Sequence, residues 1–189
     1  MERSVLLDSK VDQFKNLFFF LCVIWLVFFI SRFYPILNYG IKPRNIEGLL
    51  GILTAPFLHA NYMHVLHNSI SLLIFGTAYC LIQRGGFLGN ILFLSLVAGL
   101  LTWAFGRTAV HIGASGVVFG LWSHLLFLAW FHKKLKYFFI SSLVFILYGS
   151  MITGILPKSP WISWESHLAG FLAGILSAKL NLFQPKKIL

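Results

Sequence analysis

Residues 17–33 read LFFFLCVIWLVFFISRF, and the first charge in the run is Arg32. About 20 apolar residues, each rising ~1.5 Å, cross the ~30 Å hydrocarbon layer of a bilayer. The run therefore predicts a membrane-spanning helix near 17–34. It is too long for the apolar segment of a cleavable leader, so it is expected to stay in the protein as a helix.

Working outward from it, the same reading gives further spans near 62–82, 86–106, 115–131, 137–155 and 164–181. They are punctuated by Arg84-Gly85-Gly86, by the basic stretch His132 to Lys136, and by Pro157-Lys158-Ser159-Pro160. The expected architecture is all-α: six transmembrane helices in one domain covering 1–189, with one long connection at 35–61. Composition agrees, with 58% apolar and 11% charged residues, where soluble domains average roughly half and a quarter. Within the long connection, Asn45 to Leu53 mixes Ile and Leu with Gly and one Glu. It reads either as an interfacial amphipathic hairpin or as a partly buried connection. Cys22 and Cys80 sit inside apolar runs, where small hydrophobic packing is the expected role.

A net charge of +10 raises the question of nucleic acid. The basic residues are scattered between apolar spans and build no stripe, so the partner they indicate is the lipid bilayer. With six crossings both termini share a side. That side holds Arg3, Lys10, Lys15, Arg84, Lys133, Lys134, Lys136, Lys179, Lys186 and Lys187, against Arg32, Lys42, Arg44, Arg107 and Lys158 on the other. Ten against five predicts cytoplasmic termini and an outward 35–61 loop, in a multi-pass protein of the cell membrane.

Polar groups inside the hydrocarbon are costly and mark function by default. Counted from the cytoplasmic edge at ~1.5 Å per residue, Ser115 lies about 27 Å from Lys133, His167 about 18 Å from Lys179, and Asn68 about 24 Å from Arg84. All three fall in the outer half. Gly116 and Gly120 form a GxxxG on the fourth span, and Gly170 and Gly174 form another on the sixth. Such pairs let backbones approach closely, which would bring hydroxyl and imidazole together.

A serine hydroxyl becomes a nucleophile when a base takes its proton, and neutral imidazole suits that task. Of the five acidic residues, Glu2, Asp8, Asp12 and Glu47 lie outside the spans. Glu165, two positions from His167, points to another face of the helix. The reading is therefore a dyad, with Ser115 as nucleophile and His167 as base, rather than a triad. Phe119, one turn after Ser115, is placed to pack on the imidazole. His64 and Asn68, at i and i+4, share a face and carry N–H donors for an oxyanion; the Ser115 backbone N–H at a helix start is a third. Each of these residues also has an ordinary reading: His64 as an interfacial histidine, Asn68 as a helix-to-helix hydrogen bonder, Ser115 as a cap. His59 in a loop, His67 on another face, His111 before the Gly-rich turn, His124 in the fourth span and His132 at the interface receive only such readings. No His-Glu-x-x-His occurs, so no metal is expected.

Together, His59 to Asn68, Gly113-Ala114-Ser115-Gly116, and His167-Leu168-Ala169-Gly170 continuing to Gly174 resemble the rhomboid family of intramembrane serine proteases. The match extends over most of the chain, and Ile162 to His167 is similar to a compact bacterial branch. The resemblance implies Ser115 and His167 as the catalytic pair, His64 and Asn68 in the oxyanion hole, and no cofactor. It implies single-spanning membrane proteins as substrates, reaching the site past 137–155 under a cap at 156–163. Three departures stand out: Leu50-Gly51 where many members have Trp-Arg, Phe119 where many have Tyr, and no Glu late in the second span. A noncatalytic rhomboid-like binder of membrane proteins and a small transporter are the alternatives. Oligomeric state is left open.

Overall fold

The computed structural model describes residues 2–83, 86–159 and 161–181. Arg84 and Gly85 of the expected turn, Pro160 of the expected cap, and Lys186 and Lys187 of the charge count lie outside these residues.

Among the described residues every regular element is a helix. Its elements are α1 (Glu2–Ile30), α2 (Gly51–Thr54), α3 (Tyr62–Ile82), α4 (Phe87–Phe105), α5 (Ser115–His132), α6 (Leu135–Tyr148) and α7 (Trp164–Leu180), with short 3-10 turns between some of them. Among the described residues, five stretches are long and apolar enough to cross a membrane: Lys10–Ile30, α3, α4, α5 and Leu135–Ile155. The sixth expected span is α7, at 17 residues.

Two expected boundaries need correction. The first helix runs 2–30 rather than 17–34. It stops because Pro35 cannot continue a helix and disfavours helical backbone at the residue before it. Ser31 and Tyr34 still bond back to Val27 and Ile30. The fifth span is not one α-helix over 137–155: it is α6 to Tyr148, then a 3-10 segment, Gly149–Ile155. Gly149 and Gly154, with Thr153 between them in sequence, weaken α-helix there, and the tighter winding re-aims the last carbonyls.

The 35–61 connection is a partly buried structure. Asn45 caps the 3-10 turn Ile46–Leu49 by accepting from the Glu47 N–H at 2.8 Å. Gly48, Gly51 and Ile52 face inward, while Ile46, Leu49, Leu50 and Leu53 are exposed apolar residues. Gly51 lies against the backbone of Gly40 and Ile41, leaving no room for a side chain. The loop is tied down by Trp103 Nε1 donating to the Asn45 carbonyl at 2.8 Å, and by a bridge in which Ile41 and His111 exchange backbone bonds at 2.9 Å.

Helix α5 is the centre of the molecule, with Val117 to Leu125 buried without interruption. A helix apolar all round is surrounded by others, and α7 runs along it in close contact. A Cβ on Gly170 would enter the Gly116 carbonyl, and one on Gly174 would enter the Gly120 carbonyl and the Ser123 hydroxyl. The two GxxxG faces therefore meet each other. Below them, buried polar groups form a chain: Gln83 Nε2 donates to His124 Nε2 at 3.0 Å, His124 Nδ1 lies 3.0 Å from Ser177 Oγ, and Ser177 Oγ bonds Asn90 Oδ1. His124 is thus a satisfied core histidine. Helix α6, by contrast, buries only Tyr137, Ser141 and Val144 among its residues.

Candidate active site

The turn that delivers Ser115 is built on Gly113, whose φ is +112°, a conformation that favours glycine. A side chain there would also meet the His64 imidazole and, at 3.4 Å, Asn68 Nδ2. The close approach seats the imidazole and the amide beside the turn. Gly113 N–H is anchored on the Ala55 carbonyl at 2.8 Å. Ala114 then caps α5, and Ser115 is its first residue, so the Ser115 N–H has no partner within the helix.

A cavity of about 620 Å³ opens here, with His64, Asn68, Ser115, Phe119 and His167 in its wall. The structure thus brings together all five residues singled out for the chemistry. His67, assigned to another face than His64, also reaches the cavity, and Trp161, Ile162 and Ser163 line it from the segment before α7.

The His167 imidazole is fixed from two directions. Its ring stacks on Phe119, with centroids 4.2 Å apart and planes 10° from parallel. Its Nδ1 lies 3.0 Å from the Gly154 carbonyl. A carbonyl only accepts, so Nδ1 carries the proton and Nε2 keeps a lone pair. The group that orients the imidazole is therefore a backbone carbonyl of the 3-10 segment after α6, invisible to a search among carboxylates. Among the described residues Ser115 Oγ makes no hydrogen bond to His167. Catalytic contacts in unliganded sites are commonly long and close on substrate.

His59 was missed. It lies in a loop, as expected, but is fully buried there, with its Nδ1 3.3 Å from the Phe57 carbonyl and its Nε2 3.0 Å from Asn68 Nδ2. Its ring meets His64 edge to face at 4.9 Å. Burial, and secondarily His64, push its pKa down to about 4, so it is neutral, with Nδ1–H donating to Phe57 and Nε2 accepting from Asn68. The spacing of five between His59 and His64, across the start of α3, hides this from a helical-face argument.

Glu165 lies apart from the cavity. It is 8% exposed, and its Oε1 sits 3.5 Å from Arg107 Nε. His111 is buried too, with its pKa lowered chiefly by burial. Among the described residues no three His, Cys, Asp or Glu converge to hold a metal.

A family model described as the Rhomboid domain matches residues 47–182. An uncharacterised protein of Mycobacterium tuberculosis is 35% identical over 150 residues, 75% of this chain and 62% of that protein. An uncharacterised protein of Mycobacterium leprae is 30% identical over 172 residues, 85% of this chain and 68% of its own. RHOMBOID-like protein 1 of Arabidopsis thaliana is 33% identical over 141 residues, 71% and 35%. The chain thus spans 62% of the length of the Mycobacterium tuberculosis relative and about a third of the plant one.

Proposed function

Because this chain belongs to the rhomboid family, we propose that it is an intramembrane serine endopeptidase, working through a Ser115–His167 dyad on peptide bonds in or beside transmembrane helices of other membrane proteins. The observation that carries this reading is the His167 imidazole. It is stacked on Phe119, with Nδ1 tied to the Gly154 carbonyl and Nε2 left free, in one cavity with Ser115.

Ser115 Oγ attacks the substrate carbonyl carbon as His167 Nε2 takes its proton, giving a tetrahedral oxyanion. The Ser115 N–H, His64 and an amide hydrogen of Asn68 stabilise that charge. His167 then returns the proton to the leaving amine, and water, activated by the same nitrogen, hydrolyses the Ser115 ester. The imidazolium formed along the way is supported by the Gly154 carbonyl and by the aromatic face of Phe119. No cofactor enters. The positive-inside bias orients both termini to the cytoplasm of the cell membrane, so the cavity faces the outer leaflet. Substrate reaches it past the little-buried α6, under the segment 156–163.

The test is cleavage of a fluorogenic transmembrane substrate by protein reconstituted in liposomes. Ser115→Ala and His167→Ala are expected to abolish it with folding intact. Asn68→Ala, which removes one oxyanion donor, is expected to lower kcat by about 100- to 1000-fold. Cleavage retained by Ser115→Ala contradicts the mechanism. Substrate binding without cleavage by the wild-type chain would favour a noncatalytic membrane-protein binder.

A further inference from the structure

The glycine seam between α5 and α7 begins at Gly116 and Gly170, and both reacting side chains lie ahead of it, at the outer ends of their helices. What joins those ends is polar. Arg107 Nε lies 3.5 Å from Glu165 Oε1, and the Arg107 backbone N–H points to the same oxygen at 3.4 Å. Arg107 Nη2 donates to the Ile162 carbonyl at 2.8 Å. His111 Nε2–H donates to the Arg107 carbonyl at 3.1 Å, which leaves Nδ1 to accept from the Ser163 hydroxyl at 3.1 Å. One side of these links runs from His111 into Ser115 four residues later. The other runs from Glu165 into His167 two residues later.

From this arrangement we infer that the Arg107–Glu165 ion pair and the His111–Ser163 hydrogen bond form a clasp, which holds the loop of the nucleophile and the helix of the base in a single register. Arg107 and Glu165 are then positioning residues, acting on the rate through the relative placement of Ser115 and His167. The inference rests on the dyad reading above. Its chemistry favours register over stability. Glu165 is 8% exposed, and its second oxygen, Oε2, is buried with no hydrogen-bond partner among the described residues. A buried carboxylate so incompletely compensated adds little net stability compared with an apolar pair, whereas removing its cation leaves a stranded charge. Its use is to exclude other arrangements of the two segments.

The experiment measures the second-order rate at which a fluorophosphonate labels Ser115 in detergent-purified protein, below each variant's Tm, for wild type, Arg107→Gln, Glu165→Gln and the double variant. Wild-type labelling that is absent in Ser115→Ala tests the dyad itself, separately from the clasp. Arg107→Gln is expected to slow labelling by about tenfold or more, since small misplacement of reacting groups costs up to ~100-fold. Adding Glu165→Gln removes the stranded charge and should recover part of that loss. A wild-type labelling rate in Arg107→Gln, or single effects that simply multiply in the double variant, overturns the clasp. If Arg107→Gln does not accumulate, Ser163→Ala takes its place, because it breaks the second link without stranding a charge. A severalfold slower rate at unchanged Tm then supports the clasp, and an unchanged rate overturns it.

Discussion

At Asn68 the useful hydrogen is decided by a neighbour. Its amide gives one N–H to His59 Nε2 at 3.0 Å, which fixes the rotation of the amide and leaves the second N–H for the cavity. The arrangement holds only while His59 is neutral, because a protonated Nε2 would face the amide donor to donor. His59 has a folded pKa of about 4, below its ordinary 6.5, so the unfolded chain binds the proton more tightly. Its contribution to stability is complete above the unfolded value, and is lost as pH falls from there through the folded one. Tm in detergent should therefore fall between pH 7 and pH 4, with buried His111 acting in the same direction. His59→Asn should flatten that slope, and identical slopes in wild type and variant would contradict the assignment. The sequence pattern made His64 and Asn68 candidates because i and i+4 share a helix face. His59 lies before the helix, outside any periodicity, so its partnership exists only in three dimensions.

Among elements, the α5–α7 contact sets the geometry of the site. Gly170 and Gly174 lie against the Gly116 and Gly120 carbonyls so closely that an added methyl must displace backbone, and overpacking of that kind typically costs about 1–3 kcal/mol. Gly170→Ala and Gly174→Ala are expected to lower Tm, with Gly170→Ala the more damaging to activity, since it lies one turn from His167. A Gly170→Ala variant with wild-type Tm and activity would show that the helices have slack the structure does not contain. These glycines were legible as spacing. The break of the fifth span at Tyr148 was not: hydropathy stays high through Ile155, so composition alone gives one helix. The consequence of that break, the Gly154 carbonyl on His167 Nδ1, is a backbone group from another element. Side-chain chemistry in the sequence carries no trace of it.

For the whole molecule, the layout was readable because membrane spans are written in length and hydropathy, and most of their ends were found within a residue or two. The cross-links near the N-terminal ends of α5 and α7 were not, because Arg107 and Glu165 are 58 residues apart and each looks like an ordinary end-of-helix charge. A core helix bearing Ser115, a tightly seamed partner bearing His167 and a peripheral α6 together place the Ser115 hydroxyl and the His167 imidazole in the wall of one cavity. The central claim is that this hydroxyl is nucleophilic because of His167. It is tested most directly by treating the liposome-reconstituted protein with a fluorophosphonate and locating the adduct by mass spectrometry. The account predicts a single adduct on Ser115 in the wild-type protein and none in folded His167→Ala. No adduct in folded wild-type protein, or equal labelling without His167, would contradict it.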